Sequence, residues 1–370
     1  MEILVDKDDW VGALQTTSGI VERKHTKPIL ANVLITVEPS GGLHLTATDQ
    51  GIELCCDVVG EVLDPGAGQA TIPTKKCLDI CRSFPDGTPI KLRIDGGRAI
   101  ISAQRSRFTL STLPAEEFPI FGGGSITKTV NIPSELLKGL ISKTAFAMAQ
   151  QDVRFYLNGL LLDVNSDRVT LVGADGHRMA VVGALVPDLP ADHAFKVIIP
   201  RKAVLEMQRL LPTTGMVSVG ATDKFLRLTT DNFLFLCRLV DGRFPDYQRI
   251  IPSGSELEFV VNRSELKSAL TRIAIISHDK QKGVRFYIEQ GLLRLRVHNP
   301  DQEEAFEELE VDYSGEATEI GFNFSYLLDV LQVLSEEDIR FTVSGGDHPS
   351  TVIQADDDDS ARFVVMPMRY

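Results

Sequence analysis

The sequence has few cysteines, no long apolar run and none of the short motifs of common catalytic sites. Its five cysteines are an odd number without framework spacing, so we expect reduced thiols in the cytoplasm. The apolar runs are too short for a membrane span, and residues 1–6 lack the basic end and apolar stretch of a signal peptide. No glycine-rich loop ends in Gly-Lys-Ser/Thr, and no Gly-x-Ser-x-Gly elbow occurs. Nucleotide hydrolysis therefore has no support in the sequence.

Positive charge is also scarce. The 370 residues carry a formal net charge of −13, and a strongly acidic chain is repelled by nucleic acid unless its basic residues are segregated. A hydrophobic content of 43% with 24% charged residues is that of a soluble globular protein. The length suits two or three domains rather than a single core.

What the sequence does contain is one unit that occurs three times. Segments 73–80, 200–207 and 323–330 resemble one another at intervals of about 125 residues, and such a period indicates a repeated structural unit. Each segment carries a leucine followed by an acid, in Leu78-Asp79, Leu205-Glu206 and Leu328-Asp329. Apolar residues at three- and four-residue spacing predict a short amphipathic helix in each.

A second helix is predicted at the start of each unit. An Asp, Ser or Asn precedes an apolar run near residues 6, 134 and 262, which suits a helix N-cap. Between the helices, alternating segments such as 43–48 and 292–297 predict antiparallel strands. The predicted fold is α+β, with three repeats of two helices and an antiparallel sheet. The expected domains are residues 1–124, 125–252 and 253–370, with linkers near 121–125 and 252–255.

The segment Asp175-Gly176-His177-Arg178 allows two interpretations. Asp175 and His177 could serve an enzyme, but an Asp-Gly turn between two strands is the plainer interpretation. The first repeat has Asp49-Gln50-Gly51 at the same place, and a hairpin would need that recurrence whereas a catalytic group would not. We expect no catalytic residue here.

Two further groups could bind metal but are better explained otherwise. Cys77 and Cys81 lie four residues apart, yet no histidine is near them in sequence and both fall on the apolar face of the predicted helix. The four aspartates at 356–359 lack the ligand spacing of a calcium loop and indicate a solvated turn. We therefore expect no metal and no cofactor.

Segments 151–159, 175–178, 239–247 and 366–369 resemble the bacterial sliding clamp family, the β subunit of the replicative DNA polymerase. The resemblance extends from end to end and lies within the three-fold repeat. It implies a non-catalytic processivity factor, in which a head-to-tail homodimer forms a six-domain ring around duplex DNA without sequence preference. The expected partners are the polymerase catalytic subunit, the clamp loader and other proteins with a clamp-binding motif, all cytoplasmic.

The resemblance also implies a partner-peptide pocket between the second and third repeats. Methionines adapt to varied partners, and a histidine, two arginines and an asparagine can hold a peptide's polar groups. The plainer alternative is core packing of the tail, and alternation predicts it for one of its methionines and one of the valines before them. Tyr370 stands where the family usually has a leucine. The expected pocket residues are Leu157, Ala174, Gly176, His177, Arg178, Met179, Pro245, Arg249, Ile250, Asn323, Tyr326, Val364, Met366, Pro367, Met368, Arg369 and Tyr370.

Basic residues near the predicted helices agree with a DNA-facing surface. An acidic protein with basic helices can hold a phosphate backbone inside a ring while repelling it outside. Solvated helix faces would give the same pattern. The expected DNA contacts are Lys24, Gln151, Phe155, Tyr156, Arg201, Lys202, Arg209, Lys280 and Lys282.

Opposite charges at the two ends of the chain suggest an interface between copies. The acidic segment 301–312 complements basic late strands of the first repeat. Two unrelated solvated strands could carry the same charges without meeting. By resemblance, the dimer interface contains Lys76, Arg105, Arg107, Leu110, Ile275, Ile276, Glu303, Glu304 and Glu307.

Three hypotheses follow from the sequence. The first is a processivity clamp that encircles DNA, the second is an enzyme that uses the Asp175 and His177 region, and the third is a repeat scaffold without DNA. A hydrolase screen would test the second, and a comparison of circular with linear DNA would separate the first from the third. The repeat together with the terminal motif favours the clamp.

Overall fold

The structure is a computed structural model of the chain. It describes residues 1–21, 27–63, 68–121, 126, 128–187, 189–252, 257–277, 282–345 and 349–368. Most of the two predicted linkers, at 122–125 and 253–255, lies outside the described residues.

The first third of the chain has the order strand, helix, five strands, helix, three strands. Short 3-10 turns occupy Pro28–Ala31 and Ala115–Glu117. Its helices are α1 (Lys7–Ser18) and α2 (Thr74–Arg82). Its strands are β1 (Glu2–Asp6), β2 (Asn32–Val37), β3 (Leu43–Thr48), β4 (Ile52–Asp57), β5 (Gly60–Val62), β6 (Gly68–Pro73), β7 (Pro89–Asp95), β8 (Arg98–Ala103) and β9 (Ser106–Ser111).

The second third has the same order with one strand fewer before its second helix. Its 3-10 turns are Ala145–Ala147, Phe155–Leu157, Ala191–His193 and Tyr247–Arg249. Its helices are α3 (Ser134–Thr144) and α4 (Arg201–Leu210). Its strands are β10 (Thr129–Pro133), β11 (Gly159–Val164), β12 (Arg168–Ala174), β13 (Arg178–Leu185), β14 (Phe195–Pro200), β15 (Met216–Ala221), β16 (Phe225–Thr229) and β17 (Phe233–Arg238).

The last third repeats the order of the second, so the predicted three-fold repeat is confirmed. A 3-10 turn follows its first helix at Ala274–Ile276. Its helices are α5 (Arg263–Ile273) and α6 (Phe324–Val333). Its strands are β18 (Leu257–Asn262), β19 (Gly283–Glu289), β20 (Leu292–His298), β21 (Glu304–Asp312), β22 (Thr318–Asn323), β23 (Asp338–Ser344), β24 (Ser350–Ala355) and β25 (Ala361–Val365).

The N-caps of the helices confirm the sequence prediction at two starts and add one. The side chain of Asp6 accepts a hydrogen bond from the backbone N–H of Asp8, and Asn262 accepts from two N–H groups at the start of α5. Asn323 caps α6 in the same way. Each cap satisfies a donor that the first helical turn leaves without an intrahelical partner. None of the helices that the structure describes is long and apolar enough to cross a membrane.

The chain divides into two compact units. One contains residues 1–135 and 209–239, and the other contains 136–208 and 240–370. The boundaries predicted at 124 and 252 stay predictions, because this division follows the sheets, and the sheets run through neighbouring repeats.

The first unit holds two sheets. One has the order β5-β1-β7-β8-β9, and the other has β10-β15-β16-β17-β4-β3-β2-β6. In the second sheet β17 pairs antiparallel with β4, placing Phe235 opposite Leu54. A strand of the second repeat thus continues a sheet of the first, and the pairing removes two edges that would otherwise be open.

The cysteines of the first unit lie in apolar surroundings. Cys77 and Cys81 are fully buried and Cys77 lies beside Trp10, which confirms core packing for this pair. Burial raises the pKa of Cys56 and of Cys237 to about 12, so these thiols stay protonated at neutral pH. All five cysteines are free.

The second unit is built on one twelve-stranded sheet. Its order is β14-β11-β12-β13-β25-β24-β23-β18-β21-β20-β19-β22. The last strand of the chain, β25, lies between β13 of the second repeat and β24 of its own, with Met179 opposite Val364. The C-terminal tail therefore leaves the sheet where the second and third repeats join.

Candidate functional site

The turn between β12 and β13 is the centre of the expected peptide site. The carboxylate of Asp175 accepts hydrogen bonds from the backbone N–H groups of His177 (2.9 Å) and Arg178 (3.0 Å). Gly176 has a φ of 91°. Asp175 is thus occupied in forming the turn, which confirms the turn and gives no support to a catalytic Asp–His pair.

The guanidinium of Arg178 donates hydrogen bonds to three residues. Its Nε donates to Asp175 Oδ2 (3.0 Å), its Nη1 donates to Asp329 Oδ2, and its Nη2 donates to the carbonyl of Phe146 (2.9 Å). The guanidinium also lies over the ring of Tyr326, 4.5 Å from its centroid. These hydrogen bonds use three of the five guanidinium N–H donors, so the role of Arg178 toward a peptide stays a prediction.

His177 and Tyr326 form an aromatic wall. Their ring centroids are 6.4 Å apart with 20° between the planes, a stacked arrangement. Burial raises the pKa of the Tyr326 phenol, and the nearby Asp175 carboxylate adds to the effect. Tyr326 lies on α6, whose N-cap is Asn323, so two expected pocket residues belong to the start of one helix.

The tail after β25 is held by two backbone hydrogen bonds. The N–H of Met366 donates to the carbonyl of His177 (2.9 Å), and the N–H of Met368 donates to that of Gly321 (2.8 Å). Both methionines are exposed, at 43% and 40%, whereas Val364 and Val365 are buried. The alternation argument, which expected one methionine and one valine in the core, is therefore wrong.

The burial of both valines has a simple cause. The strand β25 is covered on both faces, by an apolar cluster on one and by α6 on the other. Alternation applies only to a strand with one face in water. Pro367, which is half-buried, lies between the two exposed methionines, and Arg369 and Tyr370 lie outside the described residues.

An apolar cluster lies beneath these groups. It brings together side chains from the second repeat and the last two strands, and all are nearly inaccessible to water. Five of the expected pocket residues therefore belong to the cluster or pack on it, and they support the site from below. These five are Leu157, Ala174, Met179, Val364 and Ile250.

The segment 244–250 is anchored to the same unit by a buried polar contact. The hydroxyl of Tyr247 donates to Asp163 (3.2 Å), and Lys196 forms an ion pair with the same carboxylate (2.8 Å). Burial is the main reason that the pKa of Tyr247 is raised. Pro245 and Arg249 are exposed beside this anchor, and Arg249 pairs with Asp246 at 3.1 Å. The anchor therefore positions two of the expected pocket residues.

The loop at 151–158 is fixed by a charged network. Arg154 donates to both oxygens of Asp152 and, through Nη2, to the carbonyl of Asp175 (3.2 Å). The Arg154 guanidinium and backbone N–H lower the pKa of Asp152 to about 2. This loop carries the expected DNA contacts Gln151, Phe155 and Tyr156.

We expect that Gly176→Ala will destabilise the protein by about 1–3 kcal/mol, because an alanine is strained at a φ of 91°. An added Cβ would also come within 2.6 Å of the Arg154 guanidinium and displace it. Thermal denaturation measures the change.

Gly139→Ala in α3 is the matched control, since nothing lies within 4 Å of its Cβ position and alanine favours a helix. Equal melting temperatures for Gly176→Ala and the unaltered chain would contradict a strained turn.

The expected DNA contacts have varied surroundings. Phe155 and Lys282 are exposed, whereas Tyr156 packs on the apolar cluster. Arg201 and Lys202 are half-buried in α4, and Arg201 donates to the carbonyl of Met148 (3.3 Å). In the first unit, exposed Arg209 donates to the carbonyl of Thr16 (2.7 Å), near the end of α1. Gln151 is exposed, and Lys24 and Lys280 lie outside the described residues.

The expected interface residues of the first repeat lie on an edge strand. In the first unit, β9 is the last strand of its sheet and pairs only with β8 among the described residues. Arg105 precedes it, Arg107 and Leu110 lie within it, and Lys76 is exposed on α2. Phe108 of the same strand is exposed, and sequence analysis missed it.

The acidic residues of the third repeat also line an open edge. Within the described residues, β21 pairs with β18 only at Val311 and Asp312, so its earlier part has a ladder partner on one side alone. Phe306 projects from it with 58% exposure, and Ile275 near the end of α5 is 80% exposed. The alternation of Phe306 with glutamates along this strand is the sequence signal for this residue.

Three of the expected interface glutamates already have partners within the chain. Glu307 accepts two hydrogen bonds from Arg272, at 2.6 Å each, and the contact lowers the pKa of Glu307. Glu304 pairs with Arg296 at 3.0 Å, and Glu303 accepts from Asn299 at 2.6 Å. Ile276 is half-buried, and its carbonyl accepts from Asn299 (3.0 Å).

Metal binding has no structural support in the part of the chain that the structure describes. No group of three or more His, Cys, Asp or Glu side chains there could hold a metal ion. The aspartates at 356–359 form a turn before β25 that is largely exposed, as the sequence predicts.

Fold and site together define a class of protein. It has three repeats of one domain, neighbouring repeats share sheets, and a pre-formed surface of tail, turn and helix start lies where the last two repeats join. Models of DNA polymerase III beta subunit domains match the chain in three pieces. The N-terminal domain matches residues 1–122, the central domain 131–246 and the C-terminal domain 248–369.

Individual relatives agree over the whole length. The beta sliding clamp of Pseudomonas aeruginosa is 44% identical, with all of both chains covered. The crystal structure of the DNA polymerase III subunit beta from that organism has a TM-score of 0.95 at 43% identity, with full coverage of both chains. A sliding clamp from the same organism, solved bound to griselimycin, has a TM-score of 0.94 at 42% identity and equal coverage. This chain therefore belongs to the DNA polymerase III beta subunit family.

Proposed function

We propose that this chain is a DNA sliding clamp, a non-catalytic processivity factor that encircles duplex DNA and tethers replication proteins. The observation that carries the proposal is the end-to-end match of three consecutive domains with beta sliding clamps. A repeat scaffold without DNA is not favoured, because a protein of that kind would need no such match. The domains of the clamp are residues 1–124, 125–252 and 253–370, and the protein acts in the cytoplasm.

The ring is a head-to-tail homodimer in this proposal. The open edge of β9 carries Arg107 and exposed Phe108, and the open edge of β21 carries Glu304 and exposed Phe306. Two such edges from different copies can pair as antiparallel strands, with apolar groups covered and opposite charges adjacent. The ion pairs of Glu304 with Arg296 and of Glu307 with Arg272 are partly exposed and contribute little, so these glutamates can be shared with the partner.

DNA is held mainly by enclosure. The net charge of −13 opposes general adhesion, so contacts to phosphate come from a small set of basic and loop residues. These contacts carry no base readout and leave the ring free to slide. The proposed contact residues are Lys24, Gln151, Phe155, Tyr156, Arg201, Lys202, Arg209, Lys280 and Lys282.

Partners are held at the site where the last two repeats join. Its exposed methionines and the His177–Tyr326 wall can take an extended peptide with a glutamine and a Leu-Phe-type end, over an apolar support. The polymerase catalytic subunit, the clamp loader and other proteins with such a motif would compete for this one surface.

We expect the protein, once loaded on a nicked circular plasmid, to stay bound in high salt and to be lost when the plasmid is cut. Enclosure depends on topology, whereas electrostatic binding weakens with salt on circles and linear DNA alike. Gel filtration of the loaded plasmid before and after linearisation measures retention. Loss from circles and linear molecules at the same salt concentration would contradict enclosure.

A further inference from the structure

The acid that follows a leucine in all three repeats has a distinct environment in the third. Asp329 on α6 accepts a hydrogen bond from Nη1 of Arg178, and its side chain is 47% exposed. In the first repeat the matching acid, Asp79, is exposed. Ile52 of the first repeat stands at the position that corresponds to Arg178 in the second. The leucine–acid motif is therefore repeated, but an equivalent ion pair cannot form with the first repeat, because Ile52 has no charge.

Two side chains of α6 hold the same guanidinium. Tyr326 and Asp329 are three residues apart, so they lie on one face of the helix. The Tyr326 ring lies over the guanidinium of Arg178, and the Asp329 carboxylate binds its edge. Arg178 in turn is 12% exposed and bound to the carbonyl of Phe146. The helix, the turn and the segment after α3 thus meet at one side chain.

We propose that Asp329 is a positioning residue of the peptide pocket, which acts through Arg178 to hold Tyr326 against His177. It needs no contact with the peptide. This inference rests on the proposed function of the pocket. A bound peptide gains affinity when the wall it meets is already in place, because no side chain must be ordered on binding.

Loss of the carboxylate should loosen this wall without unfolding the protein. Arg178 would keep Asp175 and the Phe146 carbonyl as partners and would stay folded against them. Tyr326 would be less restrained, because the Asp329 hydrogen bond would no longer hold α6 against the guanidinium of Arg178. Peptide affinity is therefore the property that changes, while the stability change is small because the pair is partly exposed.

The test uses fluorescence anisotropy with a fluorescein-labelled peptide that carries a glutamine followed by a Leu-Phe end. Asp329→Asn keeps the shape of the side chain and is expected to weaken binding about tenfold. Asp329→Glu should recover most of the affinity, because a carboxylate is again within reach of Arg178. Asp79→Asn, the matched change in the first repeat, should bind as the unaltered chain does, and all three variants should melt at similar temperatures.

A double-mutant cycle shows whether Asp329 acts through Arg178. Arg178→Lys keeps the charge but loses the fork, and its combination with Asp329→Asn should bind no more weakly than the weaker single variant. Additive losses would overturn the route through Arg178, and undiminished binding by Asp329→Asn would overturn the role of Asp329 alone. Failure of the unaltered chain to bind the peptide would overturn the pocket and this role together.

Discussion

Deleting residues 366–370 is expected to weaken binding of the labelled Gln and Leu-Phe peptide by at least about 100-fold, or about 2.8 kcal/mol. The deletion removes both exposed methionines and the backbone bonds to His177 and Gly321. It leaves β25 whole, with Val364 and Val365 still paired in the sheet. The proposed dimer, whose edges lie elsewhere, should persist in sedimentation.

Two controls separate the tail's contribution from general damage. Met368→Ala keeps the chain length and removes one exposed side chain, so it should give a smaller loss than the deletion. Tyr370→Leu tests the departure from the family pattern: tighter binding means that Tyr370 obstructs the site, and weaker binding means that it adds contact. A truncated protein that binds the peptide with undiminished affinity would refute the pocket.

Reversing charge at Arg105 and Arg107 to glutamate is expected to turn the proposed dimer into monomers. Both positions are exposed at the open edge of β9, and the reversal would place like charges opposite Glu304 and Glu307 of the other copy. Analytical sedimentation measures the association state. The monomeric variant should also fail to remain on nicked circular DNA, because an open chain cannot enclose it.

The matched control reverses Arg93 and Arg98 on β7 and β8 of the same sheet. These strands have ladder partners on both sides, so the change in net charge is equal but the open edge is intact. The control should stay dimeric. If the Arg105 and Arg107 variant sediments as a dimer at the same concentration, the proposed interface is not at β9.

Much of the fold could be predicted because its signals are local. Helix periodicity and the recurring leucine–acid pairs marked all six helices, and Asp6 and Asn262 marked two of their starts. The turn at Asp175 was recognisable from its Asp-Gly pair. Cap, turn and amphipathic period each depend on residues within a few positions of one another, so a single sequence contains them.

The site was predicted only in part, because its surroundings come from distant segments. The partners of Arg178 could not be read from the sequence, because Phe146 lies in the 3-10 turn after α3 and Asp329 lies in α6 of the third repeat. The valines before the tail looked half-exposed, yet α6 and the apolar cluster cover both faces of β25. Periodicity gives one face of an element, and only packing decides how many faces are covered.

The sequence by itself determined the repeat, the positions of the six helices, the lack of framework spacing among the cysteines and the small number of basic residues. Those properties follow from residue type and short-range spacing. The tertiary structure decided which strand edges stay open, that both tail methionines are exposed and that Asp329 meets Arg178. Each of these depends on contacts between residues far apart in the chain, and strand pairing and helix packing bring such residues together only when the domain has folded.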